Sequence, residues 1–167
     1  NIINELGYDL PEDYAAKNFD YYIARTSHGS TLSRLVHARL AYTAGIKDLG
    51  WNLYMEALES DLVDIQGGTT GEGVHCGVMA GTVYDALVSF GGLNLFGETP
   101  GLCPSLPGGW KMLQFNFVYR DIKYDITITE SELKIISKSG NNNKIKVHIC
   151  GEELSLEDGV SKTVKYN

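Results

Sequence analysis

The sequence predicts an α+β protein, helical in its first part and closing in a small antiparallel β-sandwich. Apolar residues recur at helical spacing up to about residue 90, and after Pro100 they alternate with polar residues at period two. Between the two patterns, 12 of the 19 glycines fall from Gly67 to Gly109, marking a loop-rich middle. Charge divides at the same seam: 5 basic and 13 acidic residues precede residue 100, whereas 9 and 8 follow it. The expected division is therefore 1–99 and 100–167. With 167 residues, 43% of them apolar, the chain suits one domain or one and a half with a core of its own.

The first helix is expected over 30–44, where Leu32, Leu35, Val36 and Leu40 form one apolar stripe, Ser30 is a good N-cap and Gly45 a good stop. The second runs over 47–60 with Leu49, Leu53, Tyr54, Ala57 and Leu58 on one face, and the short Gly-Ile-Lys link makes it an antiparallel neighbour. The third, over 74–90, carries Cys76, Gly77, Ala80, Gly81 and Ala86, small residues that allow close helix contact in a buried position. Next, Leu113, Phe115, Phe117 and Tyr119 alternate with polar neighbours, as do Tyr124, Ile126 and Ile128, giving a hairpin joined by 120–123 with one face buried. Further strands are expected at 133–137, 144–149 and 162–166, separated by 139–143 and 157–159.

Composition excludes several functions. A net charge of −7 with no Lys/Arg cluster argues against nucleic-acid or anionic-membrane partners. Apolar runs fall short of the roughly 18–20 residues of a membrane span, and the first ten residues lack the order of a signal peptide, so a soluble, cytoplasmic protein is expected. Cys76, Cys103 and Cys150 form no CxxC pair, which suggests reduced, mostly structural thiols and no metal site.

Two polar segments run straight into helix starts: Arg-Thr-Ser-His-Gly-Ser-Thr-Leu-Ser (25–33) and Asp-Ile-Gln-Gly-Gly-Thr-Thr-Gly-Glu-Gly-Val-His (64–75). A helix N-terminus offers unpaired N–H groups and partial positive charge, which suits an anion. Ser30 and Thr31 offer hydroxyl and backbone donors, the glycines let backbone approach a ligand, and His75 adds a donor that can carry charge. Simpler roles compete: Ser30 as an N-cap, His28 holding its turn, His75 as a structural hydrogen-bonder, and Glu72 as an acid favourable near a helix start. His37 and His148 are assigned to structure, Asp61 and Asp64 to capping or solvating the link, and Trp51, Trp110 and the tyrosines to packing. Neither segment has a P-loop or GxGxxG order, so nucleotide binding is not expected.

The run 25–33, His37-Ala38, the stretch Asp-Leu-Val-Asp-Ile-Gln-Gly-Gly-Thr-Thr (61–70), Glu-Gly-Val-His (72–75) and Met-Ala-Gly-Thr (79–82) resemble the C-terminal part of glycoside hydrolase family 65. So do Phe-Gly-Gly-Leu (90–93), Pro104, Leu106-Pro107, Trp110, Leu113 and Phe115, so that the resemblance covers about residues 18–155. It implies the last helices of an (α/α)6 barrel over 19–90 and a C-terminal β domain from Trp110 onward. It also implies inverting phosphorolysis of an α-glucoside disaccharide to β-glucose 1-phosphate, or hydrolysis in some members. Carried over by residue, the resemblance puts Ser30, Thr31 and His75 at phosphate, with Gly73 and Val74 nearby through the backbone. His28 and Glu72 fall on the substrate side, Glu72 as a base if the protein is a hydrolase.

No cofactor is implied, inorganic phosphate being the co-substrate. The family's general acid and a Lys-Gln pair belong to an upstream segment with no counterpart here, so the chain reads as a C-terminal piece with no catalytic residue of its own and no turnover alone. Its partners are then the upstream part of the same enzyme, the disaccharide and phosphate. A truncated barrel is expected to self-associate through its uncovered apolar face, a homodimer among the possible forms. A non-catalytic carbohydrate-binding module is the reading from another class.

Overall fold

Ser30 shows how the helical part is built. Its extended backbone (φ −138°, ψ 140°) and its hydroxyl, which accepts from the Leu32 N–H at 3.3 Å, start a 13-residue helix. That helix ends where Gly45 takes φ +79°, with Ile46 N–H donating to the Ala41 carbonyl at 2.8 Å and Gly45 N–H to that of Tyr42 at 3.0 Å, the paired bonds of a Schellman cap. The computed structural model describes residues 2–65, 67–140 and 144–166. Gln66 of the expected glycine loop and 141–143 of the expected strand link lie outside the described residues.

The helices are α1 (Ile2–Glu5), α2 (Tyr14–Ile23), α3 (Thr31–Thr43), α4 (Lys47–Glu59) and α5 (Cys76–Asp85), with a 3-10 turn at Thr69–Glu72 and a π-helical turn at Ala86–Phe90. The third expected helix is thus shorter at its start and changes pitch at Ala86. α3 and α4 approach closely because small residues line their contact. Ala38, Ala41 and Ala57 are fully buried, and a Cβ on Gly50 would meet the Tyr42 ring at 2.6 Å. Leu35, Ala57 and Val78 form a buried cluster, with Leu35 filling the space left by Gly81.

The expected stripe on α3 is corrected. Leu35 is buried, but Leu32, Val36 and Leu40 are 49%, 48% and 46% exposed, and the buried face is Thr31, Leu35, His37, Ala38 and Ala41. Close helix approach selects the arc with the small side chains, not the one with the larger apolar residues. Among the described residues no helix is long and apolar enough to cross a membrane.

The strands are β1 (Leu93–Asn94), β2 (Gly101–Leu102), β3 (Met112–Tyr119), β4 (Ile122–Thr129), β5 (Glu132–Lys138), β6 (Ile145–Ile149), β7 (Glu152–Leu156) and β8 (Ser161–Lys165). They form two four-stranded sheets, ordered β1-β2-β6-β7 and β3-β4-β5-β8. Their inner faces share one core, Leu102, Val147, Ile149 and Leu156 from the first sheet and Tyr124, Ile126, Ile128, Leu133 and Ile135 from the second. The sandwich is as expected but not wholly antiparallel, because β2 runs parallel to β6.

The β3–β4 link is also tighter than 120–123. Tyr119 pairs with Ile122, and Arg120 and Asp121 take φ +49° and +62°, the signature of a two-residue type I′ turn. Two compact units divide at 83/84. The expected seam at 99/100 falls between β1 and β2, which pair with each other.

Candidate functional site

α4 runs into Ser60, whose hydroxyl donates to the Ala57 carbonyl at 2.8 Å, and the next residue is Asp61. Both Asp61 carboxylate oxygens go to one partner, His75. Oδ2 accepts the His75 backbone N–H at 2.8 Å and Oδ1 accepts from its Nδ1 at 2.6 Å. An ionised carboxylate can only accept, so Nδ1 carries a proton and Nε2 is left to face outward. The Asp61 side chain is only 9% exposed. Its hydrogen bond from the His75 ring holds the carboxyl below the ordinary carboxylate range, against burial acting the other way.

His75 in turn begins α5, its carbonyl accepting from Val78 and Met79 N–H at 2.9 and 3.0 Å. The loop leading to it is shaped by backbone that favours glycine: Gly68 has φ +126° and Gly73 φ +100°. Asp64 Oδ1 accepts the Gly67 N–H at 2.8 Å, the local capping role expected of it. Glu72, 71% exposed, brings Oε2 to 3.8 Å from His75 Nε2.

The start of α3 comes to the same end of the helical unit. The Asp61 bonds hold the start of α5 at the C-terminal end of α4, while Arg34 of the first turn of α3 pairs with Glu56 near that same end of α4. Leu35 packing on Ala57 and Gly81 repeats the arrangement one layer inward. The starts of α3 and α5 therefore lie at the same end of the helical unit, with Ser30, Gly73 and Val74 exposed there.

Two family models match this chain, the glycosyl hydrolase family 65 central catalytic domain over residues 2–84 and the family 65 C-terminal domain over 93–156. The chain belongs to glycoside hydrolase family 65. Among its relatives, the trehalose 6-phosphate phosphorylase of Lactococcus lactis is 38% identical across 95% of this chain and 20% of its own length. The α,α-trehalose phosphorylase of Thermoanaerobacter brockii is 29% identical across 90% of this chain and 19% of its own. A solved human-microbiome structure, provisionally named a kojibiose phosphorylase, shares the fold with a TM-score of 0.79 at 24% identity, over 94% of this chain and 20% of its own. The chain thus spans about a fifth of the length of these relatives.

In this family 65 chain the residues singled out from sequence fall into two groups. Ser30, Gly73, Glu72 and His75 stand exposed or half-exposed around the helix starts, whereas Thr31 is buried at 3% exposure. His28 turns inward. Its φ is +49°, its Nδ1 lies 3.0 Å from the Ser33 hydroxyl, and its ring meets that of His37 edge-on at 4.8 Å. Burial, then His37 and Arg34, lower its pKa, which favours the neutral ring. His37 is held as a structural residue should be, its Nδ1 donating to the Ser33 carbonyl at 2.8 Å.

Sequence reasoning missed Asp61 as the partner of His75. The two lie 14 residues apart across the glycine loop, and the one available signal was an acid placed directly after a helix end. Among the described residues no cluster of three His, Cys, Asp or Glu is arranged to hold a metal ion.

Proposed function

We propose that the protein is an inverting α-glucoside phosphorylase in which this chain supplies the phosphate-holding loops, as the last helices of an (α/α)6 barrel followed by the C-terminal β domain. The observation that carries the reading is the His75–Asp61 clamp at the start of α5. Asp61 fixes the ring with Nε2 outward, so that Nε2, the Ser30 hydroxyl and the backbone at Val74 can together meet phosphate, with Thr31 and Gly73 shaping the helix start and the loop that hold it.

In the reaction a phosphate oxygen attacks the anomeric carbon from the face opposite the glycosidic bond, and that bond breaks. A carboxylic acid outside this chain gives its proton to the leaving sugar oxygen, and β-glucose 1-phosphate forms. No cofactor takes part. The anionic product suits a cytoplasmic enzyme, which retains it. Family membership and the phosphorylase relatives support the activity; the substrate disaccharide is chosen by residues beyond this chain.

A second reading rests on Glu72, whose carboxylate lies where phosphate would approach Nε2. In a hydrolase it would instead activate water. The full-length protein, assayed on α-glucosyl disaccharides with and without inorganic phosphate, separates the two. Phosphorolysis requires glucose 1-phosphate to appear only with phosphate, and His75→Ala to lower phosphate-dependent kcat/KM by about 100-fold. Equal glucose release in both conditions gives the reaction to Glu72.

A further inference from the structure

Two of the three cysteines come together in the β-sandwich. β2 and β6 run parallel, with Gly101 opposite His148 and Leu102 opposite Ile149. The next residue on each strand is a cysteine, Cys103 and Cys150, and the Cys150 N–H donates to the Leu102 carbonyl at 2.9 Å. Leu102 and Ile149 point into the core, while both cysteines are exposed. Neighbouring strands lie about 4.8 Å apart, within the Cα separation a disulfide spans.

Cys150 is also an unusual residue for its place. With Gly151 it forms the two-residue turn between β6 and β7, with φ +48° and +91°, and Ile149 pairs with Glu152 across it. Asn, Asp or Gly normally fills the first position of such a turn, because a side chain there is strained. Here the strained position holds a thiol one residue beyond the paired Leu102 and Ile149, beside the other thiol-bearing residue, Cys103.

We propose that Cys103 and Cys150 are a dithiol that closes into a disulfide by exchange with a small-molecule disulfide, tying β2 to the β6–β7 turn. Cys103 attacks first. Burial, together with the neighbouring Cys103, pushes the Cys150 thiol up to about 11, so few Cys150 thiolates exist at neutral pH. The Cys103 thiolate attacks one sulfur of the external disulfide and expels the other as thiolate, leaving a mixed disulfide on Cys103. Cys150 then loses its proton to solvent, its thiolate attacks the Cys103 sulfur, and the second external thiol leaves. The protein gives up two electrons and the external disulfide becomes two thiols, which take up the two protons.

The test is oxidation of the native full-length protein with glutathione disulfide, followed by acid quench, alkylation under denaturing conditions and peptide mass mapping. A Cys103–Cys150 linked peptide, two hydrogens lighter than the sum of its parts, should be the main form of both residues and should disappear with dithiothreitol. Cys76, the sole cysteine of the helical unit, should carry glutathione or alkyl label only. Cys150→Asn, whose new side chain suits the turn, should melt no lower than the parent and leave Cys103 capped by glutathione. Recovery of Cys103 and Cys150 mainly as alkylated thiols, as separate glutathione adducts, or linked to other cysteines overturns the proposal.

Discussion

At the scale of single residues, the site depends on which ring nitrogen of His75 holds a proton, and Asp61 decides it. An amide in place of the carboxylate would put an NH2 group opposite either Nδ1 or the His75 N–H. It could not accept from both, and the ring would turn or change tautomer. The linkage to pH follows from the lowered pKa of Asp61. A carboxyl that ionises more readily in the folded chain than in the unfolded one adds stability above its ordinary pKa of 3.8 and loses it as pH falls through the folded value. Asp61→Asn should therefore melt below the parent at pH 7, and the gap should close as the pH drops below about 3.8, read by thermal melts from pH 7 to 2.5. A gap constant over that range would mean that Asp61 acts through packing alone.

At the scale of elements, the turn from α5 into the sandwich is where backbone geometry is least forgiving. Gly92, in the Phe-Gly-Gly-Leu run, has φ +65°, and a Cβ there would lie 2.0 Å from the Cys103 carbonyl oxygen, while Cys103 N–H donates to the Gly92 carbonyl at 3.1 Å. Gly92→Ala should destabilise by roughly 3 kcal/mol through left-handed strain and overpacking. Gly109→Ala, equally left-handed at φ +90° but in open space, should cost about 1 kcal/mol. Denaturant unfolding of the two variants checks the contrast, and equal losses would remove the clash as its cause.

The same element scale shows what the sequence made legible. The β3–β4 hairpin declared itself because alternation over eight residues has one physical reading, with Ile126 and Ile128 buried as period two requires. β7 did not. Its preceding turn, Cys150–Gly151, lacks the Asn-Gly or Asp-Gly signal, and Glu152-Glu153 begins the strand with two charges. Helix existence was clear at α3 and α4, yet the buried arc of α3 was not, since Ala38 and Ala41 win that face by being small and a hydropathy pattern weights the larger Leu32, Val36 and Leu40. Of the site, the local residues Ser30 and His75 were readable as helix starts, whereas Asp61 acts across a loop and had no periodic signal.

At the scale of the whole molecule, that exposed arc has a consequence for the chain on its own. Leu32, Val36 and Leu40 line one side of α3, and Leu40 also borders a groove of about 550 Å³ with Tyr14, Phe19 and Tyr22 of α2. In the proposed barrel this arc would meet helices carried by the rest of the enzyme. In an isolated 167-residue chain it stays in water, and covering half-exposed side chains of this size gains roughly 1 kcal/mol each. Two copies can cover one another, so sedimentation velocity should give a mass above 18.4 kDa that rises with concentration. Leu32→Glu combined with Val36→Lys replaces the arc by an i,i+4 ion pair that keeps helix propensity, and it should return the chain to monomer. A parent chain that stays monomeric at high concentration would show that the arc needs no cover, and would remove this support for a barrel wall at α3.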